Sequence, residues 1–195
     1  GETYLIWRRA VERPVAVKAL GRALPAFGSG QIATWLDARR GAPVPRAAMA
    51  LEVVLTEAPR ADVSALILAD KAIAQALGWD HLVPLLAAGL KRADLRKRGD
   101  DLRLACHRAL VSSAVEAVRL SADLARRAAH VKAVAPKLRA KGAGDAVEMF
   151  LTRDAMAPSA LPLPDRAARR LCDRLVELGA VRELTGRDTF RLYGL

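Results

Sequence analysis

Residues 164–195 read PDRAARRLCDRLVELGAVRELTGRDTFRLYGL. Ala168, Leu171, Cys172, Leu175 and Leu178 recur at three- and four-residue steps, the spacing of one apolar stripe on an α-helix. Asp165 stands where a helix cap belongs. Gly179 follows the last apolar position, where a left-handed residue closes a helix. Beyond it, residues 180–184 and 190–193 are the convincing strand runs, and Thr185-Gly186-Arg187-Asp188 between them supplies turn chemistry. Helix then hairpin, at the end of a helical chain, is the back half of a winged helix-turn-helix.

The chain of 195 residues is 52% hydrophobic and only 4% aromatic, so its core is expected to be built from Leu, Val and Ala. An Ala-, Leu- and Arg-rich composition with few strand formers favours helices. The net charge of +11 is unevenly spread: residues 91–141 carry 14 Lys/Arg against 5 Asp/Glu, whereas residues 142–195 carry 8 of each. A basic cluster of this size favours a polyanion such as DNA or RNA; the competing reading is a solubilising Arg-rich surface. Cys106 and Cys172 fall on apolar faces of helical patterns, as buried free thiols in a reducing cytoplasm would. No apolar run reaches the length of a membrane span, and the N-terminus lacks the apolar core of a signal peptide. The chain opens inside a helical pattern, as a piece of a longer protein would.

Taken in order, helices are expected over residues 3–11, 14–24, 31–39 and 46–57, with Ser29 capping the third and Pro45 in the first turn of the fourth. A fifth covers residues 62–77 and ends at Gly78. Asp70 falls in the middle of its apolar face, where a carboxylate should not stay unpaired. It is read either as a catalytic or metal-binding acid, or as a buried hydrogen bond to an Arg or a helix terminus. Asp80 is expected to cap a helix through Leu90, with Pro84 in its first turn. The run KRADLRKRGDDLR that follows, at 91–103, is the densest basic stretch and is helix-compatible as far as Gly99. It is either a phosphate clamp or a solvated helix end whose acids pair locally.

Asp100 or Asp101 caps the longest helix, running toward Val134. Leu102, Ala105, Cys106, Ala109, Leu120 and Leu124 form one stripe of it, and Leu104, Val111, Val115, Val118 and Ala122 form another on the opposite side. A helix apolar on opposite sides is expected to be sandwiched at the centre of its domain. Ser113 and Glu116 interrupt the first stripe; Glu116 paired with Asp70 is the weak candidate for a metal site. Pro136 should end or kink the helix, and residues 141–144 are a hinge between domains. A short helix over 146–151 and a second short segment then lead to the turn at 161–164.

In a helix-turn-helix the helix after the turn enters the major groove, which assigns that part to residues 165–178. Arg166, Arg170 and Arg174 recur at four-residue steps away from its apolar stripe, with Arg169 beside them, and Arg suits guanine edges and phosphates. Arg187 and Thr189 lie at the wing tip. Lys91, Arg96, Lys97, Arg98, Lys137, Arg139 and Lys141 are the further phosphate-contact candidates, outside this helix. Asp173 and Glu177 on the same helix, and the zero net charge of residues 142–195, favour the other reading, a winged helix that docks a protein.

The ending DRAARRLCDRLVELGAVRELTGRDTFRLYGL, with GWDHLVPLLA and KAVAPKLRAKGAG upstream, resembles an uncharacterised family of alphaproteobacteria, often plasmid-borne, whose members are longer at the N-terminus. That resemblance implies a fold and little chemistry. More loosely, LVELGAVRELTGR is similar to the C-terminal winged helix of Fic-domain proteins and of the segregation partner ScpB. The Fic signature of a His followed by a Gly-Asn-Gly-Arg loop is absent from the sequence, so nucleotidyl transfer does not carry over.

No phosphate-binding loop, zinc-spaced Cys/His set or nucleophile elbow is present, and His81, His107 and His130 are scattered. The expectation is therefore a mainly α protein. A multi-helix domain over residues 1–141 precedes a winged helix-turn-helix with a two-stranded wing over residues 142–195. The expected function is duplex DNA binding by a cytoplasmic regulator or plasmid-maintenance factor, able to form a homodimer, with no catalytic activity, cofactor or metal. The alternative is a scaffold whose winged helix binds a protein partner.

Overall fold

The computed structural model describes residues 1–12, 17–36, 41–138, 141–187 and 189–195. The chain is mainly helical and separates into two compact units, Gly1–Ala117 and Val118–Leu195. The division falls inside one long helix, upstream of the hinge expected at residues 141–144.

The first unit is built on helix α5, which follows α1 (Glu2–Val11), α2 (Val17–Ala23), α3 (Ser29–Leu36) and α4 (Pro43–Glu57) and spans Asp62–Leu77. Its bounds are those expected, and Gly78 closes it at φ 68°, where a side chain would be strained. Ile67, Leu68, Ala69, Ala72 and Ile73 bury nearly the whole circumference of α5. It packs along α4, and α1, α3 and α6 (Leu85–Gly89) also touch it. The one-sided pattern expected for α5 thus becomes an enclosed helix. Trp35 is buried against the same core, its indole N–H donating to Glu57 Oε2 at 2.8 Å, with Phe27 edge-on at 5.0 Å.

Several expected boundaries move, each for a local reason. Helix α3 already includes Ser29, and its expected end at Arg39 lies outside the described residues, as does the start of the second helix at Pro14. Helix α4 begins at Pro43, so both Pro43 and Pro45 sit in the first turn, where no amide is required. Asp80 is exposed and does not start a helix; α6 begins only at Leu85, after Pro84, and is a single short piece. The basic run is not a continuation of it. Leu90 is extended, a 3-10 turn occupies Asp94–Arg96, and α7 starts at Gly99.

Helix α7 (Gly99–Val134) is not sandwiched along its length. Leu102, Ala105, Cys106 and Ala109 are buried in the first unit, and Val131 and Val134 in the second. Val111 is 67% exposed, Val118 69% and Leu120 60%, and Leu104, Val115 and Leu124 are exposed as well. Asp100 and Asp101 lie in its first turn rather than before it. Pro136 ends the helix as expected, passing into a 3-10 turn at Ala135–Lys137.

The second unit continues with α8, α9 and a small antiparallel sheet. Gly142, left-handed at φ 87°, leads into α8 (Ala143–Thr152), which starts earlier than expected and buries Ala146, Val147 and Phe150. A 3-10 turn at Pro158–Ala160 precedes α9 (Asp165–Glu177). The apolar stripe of α9 is the expected one: Ala168, Leu171, Cys172 and Leu175 are buried. Pro164, not Asp165, stands at the cap position, and Asp165 instead pairs with Arg169 on the next turn.

The two strands are shorter than expected. Strand β1 is Arg182–Glu183 and β2 is Tyr193–Gly194, paired Arg182 to Gly194 and Glu183 to Tyr193. Ala180 and Val181 are taken by the close of α9 instead, both amides donating to the Leu175 carbonyl while Gly179 turns the chain at φ 65°. Met156 adds a bridge to Tyr193, so Tyr193 lies between Met156 and Glu183. The Met156 and Tyr193 amides and carbonyls bond reciprocally at 2.8 and 2.9 Å.

Candidate nucleic-acid interface

In the second unit, the side of α9 away from its buried stripe carries Arg166, Arg169, Arg170 and Arg174, all exposed. They are not equivalent. Arg169 Nη2 lies 3.0 Å from Asp165 Oδ2, and Arg174 Nη1 lies 2.8 Å from Glu177 Oε2. Arg166 and Arg170, one turn apart, form no ion pair among the described residues. Asp165 and Glu177 therefore engage two of the four guanidiniums and leave Arg166 and Arg170 open to solvent, while Asp173, counted with Glu177 against nucleic-acid contact, is in neither pair.

The end of α9 is tied to α7. His130 Nε2 lies 2.9 Å from the Leu178 carbonyl, and since a carbonyl only accepts, that nitrogen carries the proton. A lone His in an Arg-rich run gave no sequence signal of this.

The β1–β2 loop is organised by Glu183, which sequence reading did not single out. Its carboxylate accepts the Thr185 amide at 2.8 Å and the Gly186 amide at 3.0 Å, as well as the Thr185 hydroxyl. The Thr185 hydroxyl, foremost, and these amides hold the Glu183 carboxyl below its usual range. Past this turn, Arg187 and Thr189 are exposed as expected, and Asp188 lies outside the described residues. Phe190 adopts φ 58° and is 91% exposed, which is why no strand runs through it. An exposed Phe in that conformation was not foreseen.

Lys137 and Lys141 are exposed in the second unit, and Arg139 lies outside the described residues. Lys91, Arg96, Lys97 and Arg98 belong to the first unit, on the loop between α6 and α7. Lys97 Nζ binds Asp94 Oδ1 at 2.7 Å; with the Lys91 amide, this holds the Asp94 carboxyl below its usual range.

Asp70 takes the helix-terminus form of its two expected readings. Its carboxylate is buried and accepts the Leu86 amide at 2.7 Å and the Ala87 amide at 3.1 Å. Glu116 is exposed, and no group of three His, Cys, Asp or Glu among the described residues is placed to hold a metal. Cys106 and Cys172 are free and buried, as expected, and burial pushes their thiols up to about 12 and about 11. No helix is long and apolar enough to cross a membrane among the described residues.

No curated protein and no solved structure matches this chain. A family model described as a protein of unknown function, DUF1403, matches residues 1–195, and the chain belongs to that family.

Proposed function

We propose that the second unit is a winged helix that binds duplex DNA through α9, and that the protein is a cytoplasmic DNA-binding regulator. The element order supports this reading: α8, the single Met156 bridge, the 3-10 turn, α9, then β1 and β2. A winged helix runs helix, strand, short helix, recognition helix and two wing strands, with the last strand in the middle of the sheet. Here Tyr193 occupies that middle place. The observation that carries the functional reading is the Arg166–Arg170 pair, exposed, one turn apart and without an ion pair among the described residues. Guanidiniums so placed suit guanine edges or phosphates in a major groove. Arg187 and Thr189 would contact the adjacent backbone.

The test is fluorescence anisotropy of the protein with a random-sequence duplex over a series of salt concentrations, beside Arg166→Glu/Arg170→Glu. Binding that weakens steeply with salt, and that the double variant loses by at least about tenfold, is expected. Affinity unchanged in the double variant overturns the assignment to α9. Absence of binding at low salt overturns DNA as the partner and favours a protein-docking winged helix.

A further inference from the structure

In the first unit, a cavity of about 300 Å3 opens beside the loop between α6 and α7. Arg92, Arg96 and Arg98 line it, together with the apolar Leu55, Pro59 and Leu95 and the acid Asp62. The loop is not a loose basic tail. Leu95 is buried in the core and anchors it. The Asp94 carboxylate clasps the Lys91 amide at 2.9 Å and the Lys97 ammonium at 2.7 Å. Arg98 Nη1 donates to the Leu95 and Lys97 carbonyls at 3.0 and 2.8 Å, and the Gly99 amide reaches Glu52 on α4 at 3.2 Å. These bonds sort the basic residues: the three arginines border the cavity, whereas Lys91 and Lys97 are not among its lining.

We propose that this cavity is a binding site for a phosphomonoester, with Arg92, Arg96 and Arg98 holding the phosphate. Three guanidiniums against the one Asp62 carboxylate leave a local charge of +2. That matches a phosphomonoester, which carries close to two negative charges near neutral pH. A backbone phosphodiester carries one. Arginine rather than lysine at the rim gives the forked donors that grip phosphate oxygens. Asp62 opens α5, so the phosphate also lies near the positive end of a 16-residue helix. Leu55, Pro59 and Leu95 take the organic part of the ligand, and Asp62 accepts a hydrogen bond from a hydroxyl on it. Because the loop is already held in place, little ordering opposes binding. The lining residues all belong to the first unit, and the proposal does not depend on the DNA reading.

The experiment is isothermal titration calorimetry of the full chain with phenyl phosphate, phenyl sulfate and inorganic phosphate. It is repeated on Arg96→Gln and on Lys91→Gln, which removes the same charge outside the cavity. Phenyl phosphate should bind once per chain, at least about tenfold more tightly than the singly charged sulfate. Arg96→Gln should weaken it by about tenfold or more, and Lys91→Gln by less than about twofold. No saturable binding, or equal losses in the two variants, overturns the proposal. So does an Arg96→Gln variant that binds phenyl phosphate normally but loses affinity for a duplex lacking terminal phosphates, which would make the loop a contact to the DNA backbone.

Discussion

Asp70, in the middle of α5, accepts the amide of Leu86, sixteen residues later in the chain, on Oδ1 at 2.7 Å, and so caps the first turn of α6. The Ala87 amide on Oδ2 completes the arrangement. Helix N-termini leave amides without partners, and here the acceptor comes from a neighbouring helix rather than from the residue before the first turn. Removing both acceptors in Asp70→Ala should cost about 2–3 kcal/mol, since the buried Leu86 amide and the half-buried Ala87 amide lose their partner. Urea unfolding measures it, and a loss within error would mean that water or another acceptor replaces the carboxylate.

The same carboxyl gives stability a pH dependence of defined sign. Burial raises its pKa from 3.8 to about 7, outweighing the bonds from the Leu86 and Ala87 amides that favour the charged form. Below 3.8 folded and unfolded chains both hold the proton. Between 3.8 and about 7 the unfolded chain releases it while the folded chain keeps it, so this contribution falls as pH rises and is flat above. The stability of the native chain minus that of Asp70→Asn should therefore decline from pH 4 to 7, by urea unfolding at several pH values. A difference that rises with pH over that range contradicts the assignment.

Lys71 is wholly buried, and its Nζ has no hydrogen-bond partner among the described residues. Burial lowers its pKa from 10.5 to about 8. Below about 8 the fold therefore carries a poorly solvated ammonium, and Lys71→Met should stabilise it at neutral pH by about 1–3 kcal/mol. Between about 8 and 10.5 the folded chain loses a proton that the unfolded chain retains, so native stability rises and the advantage of Met shrinks. Denaturant melts at pH 7 and 10 decide it; a Met variant less stable at pH 7 would show that the amine is satisfied.

Gly89 ends α6 against α7 with no room for a side chain. A Cβ there would stand 2.6 Å from the Ala109 carbonyl oxygen and 2.8 Å from the Ala109 Cα. Backbone atoms cannot step aside as a long side chain can, so Gly89→Ala should destabilise by about 1–3 kcal/mol despite the better helix former. Thermal melting of this variant beside Gly144→Ala, where nothing lies within 4 Å, separates the clash from the change in propensity.

These sites mark what the sequence could and could not disclose. The bounds of α5 and the buried face of α9 were legible because periodicity and a terminal glycine lie in neighbouring residues. The pairing of Asp70 with a helix terminus was legible as a category, since a carboxylate on an apolar face must find a donor. Its donors were not, because they lie sixteen and seventeen residues on. With Asp80 expected as the cap, the helix through Leu90 comes out longer than α6 is, and a basic run that is helix-compatible as far as Gly99 forms only a 3-10 turn at Asp94–Arg96. Lys71 follows Asp70 and carries no apolar signal, and the enclosure of α5 by several helices buries it. The clustering of Arg92, Arg96 and Arg98 followed from the turn that Asp94 and Leu95 impose, which no spacing rule for a regular element describes. On α7 the apolar stripes were read correctly as composition, but periodicity does not say which turns have something to pack against.

That helix has a consequence for how the chain comes apart. Its first turns are held by one interior and its last by another, while its middle, around Val111, Val118 and Leu120, lies bare. Helical turns without packing persist only on local propensity and open most readily. A protease is therefore expected to cut the chain there before it cuts either packed end of the helix, at a place where the secondary structure is unbroken.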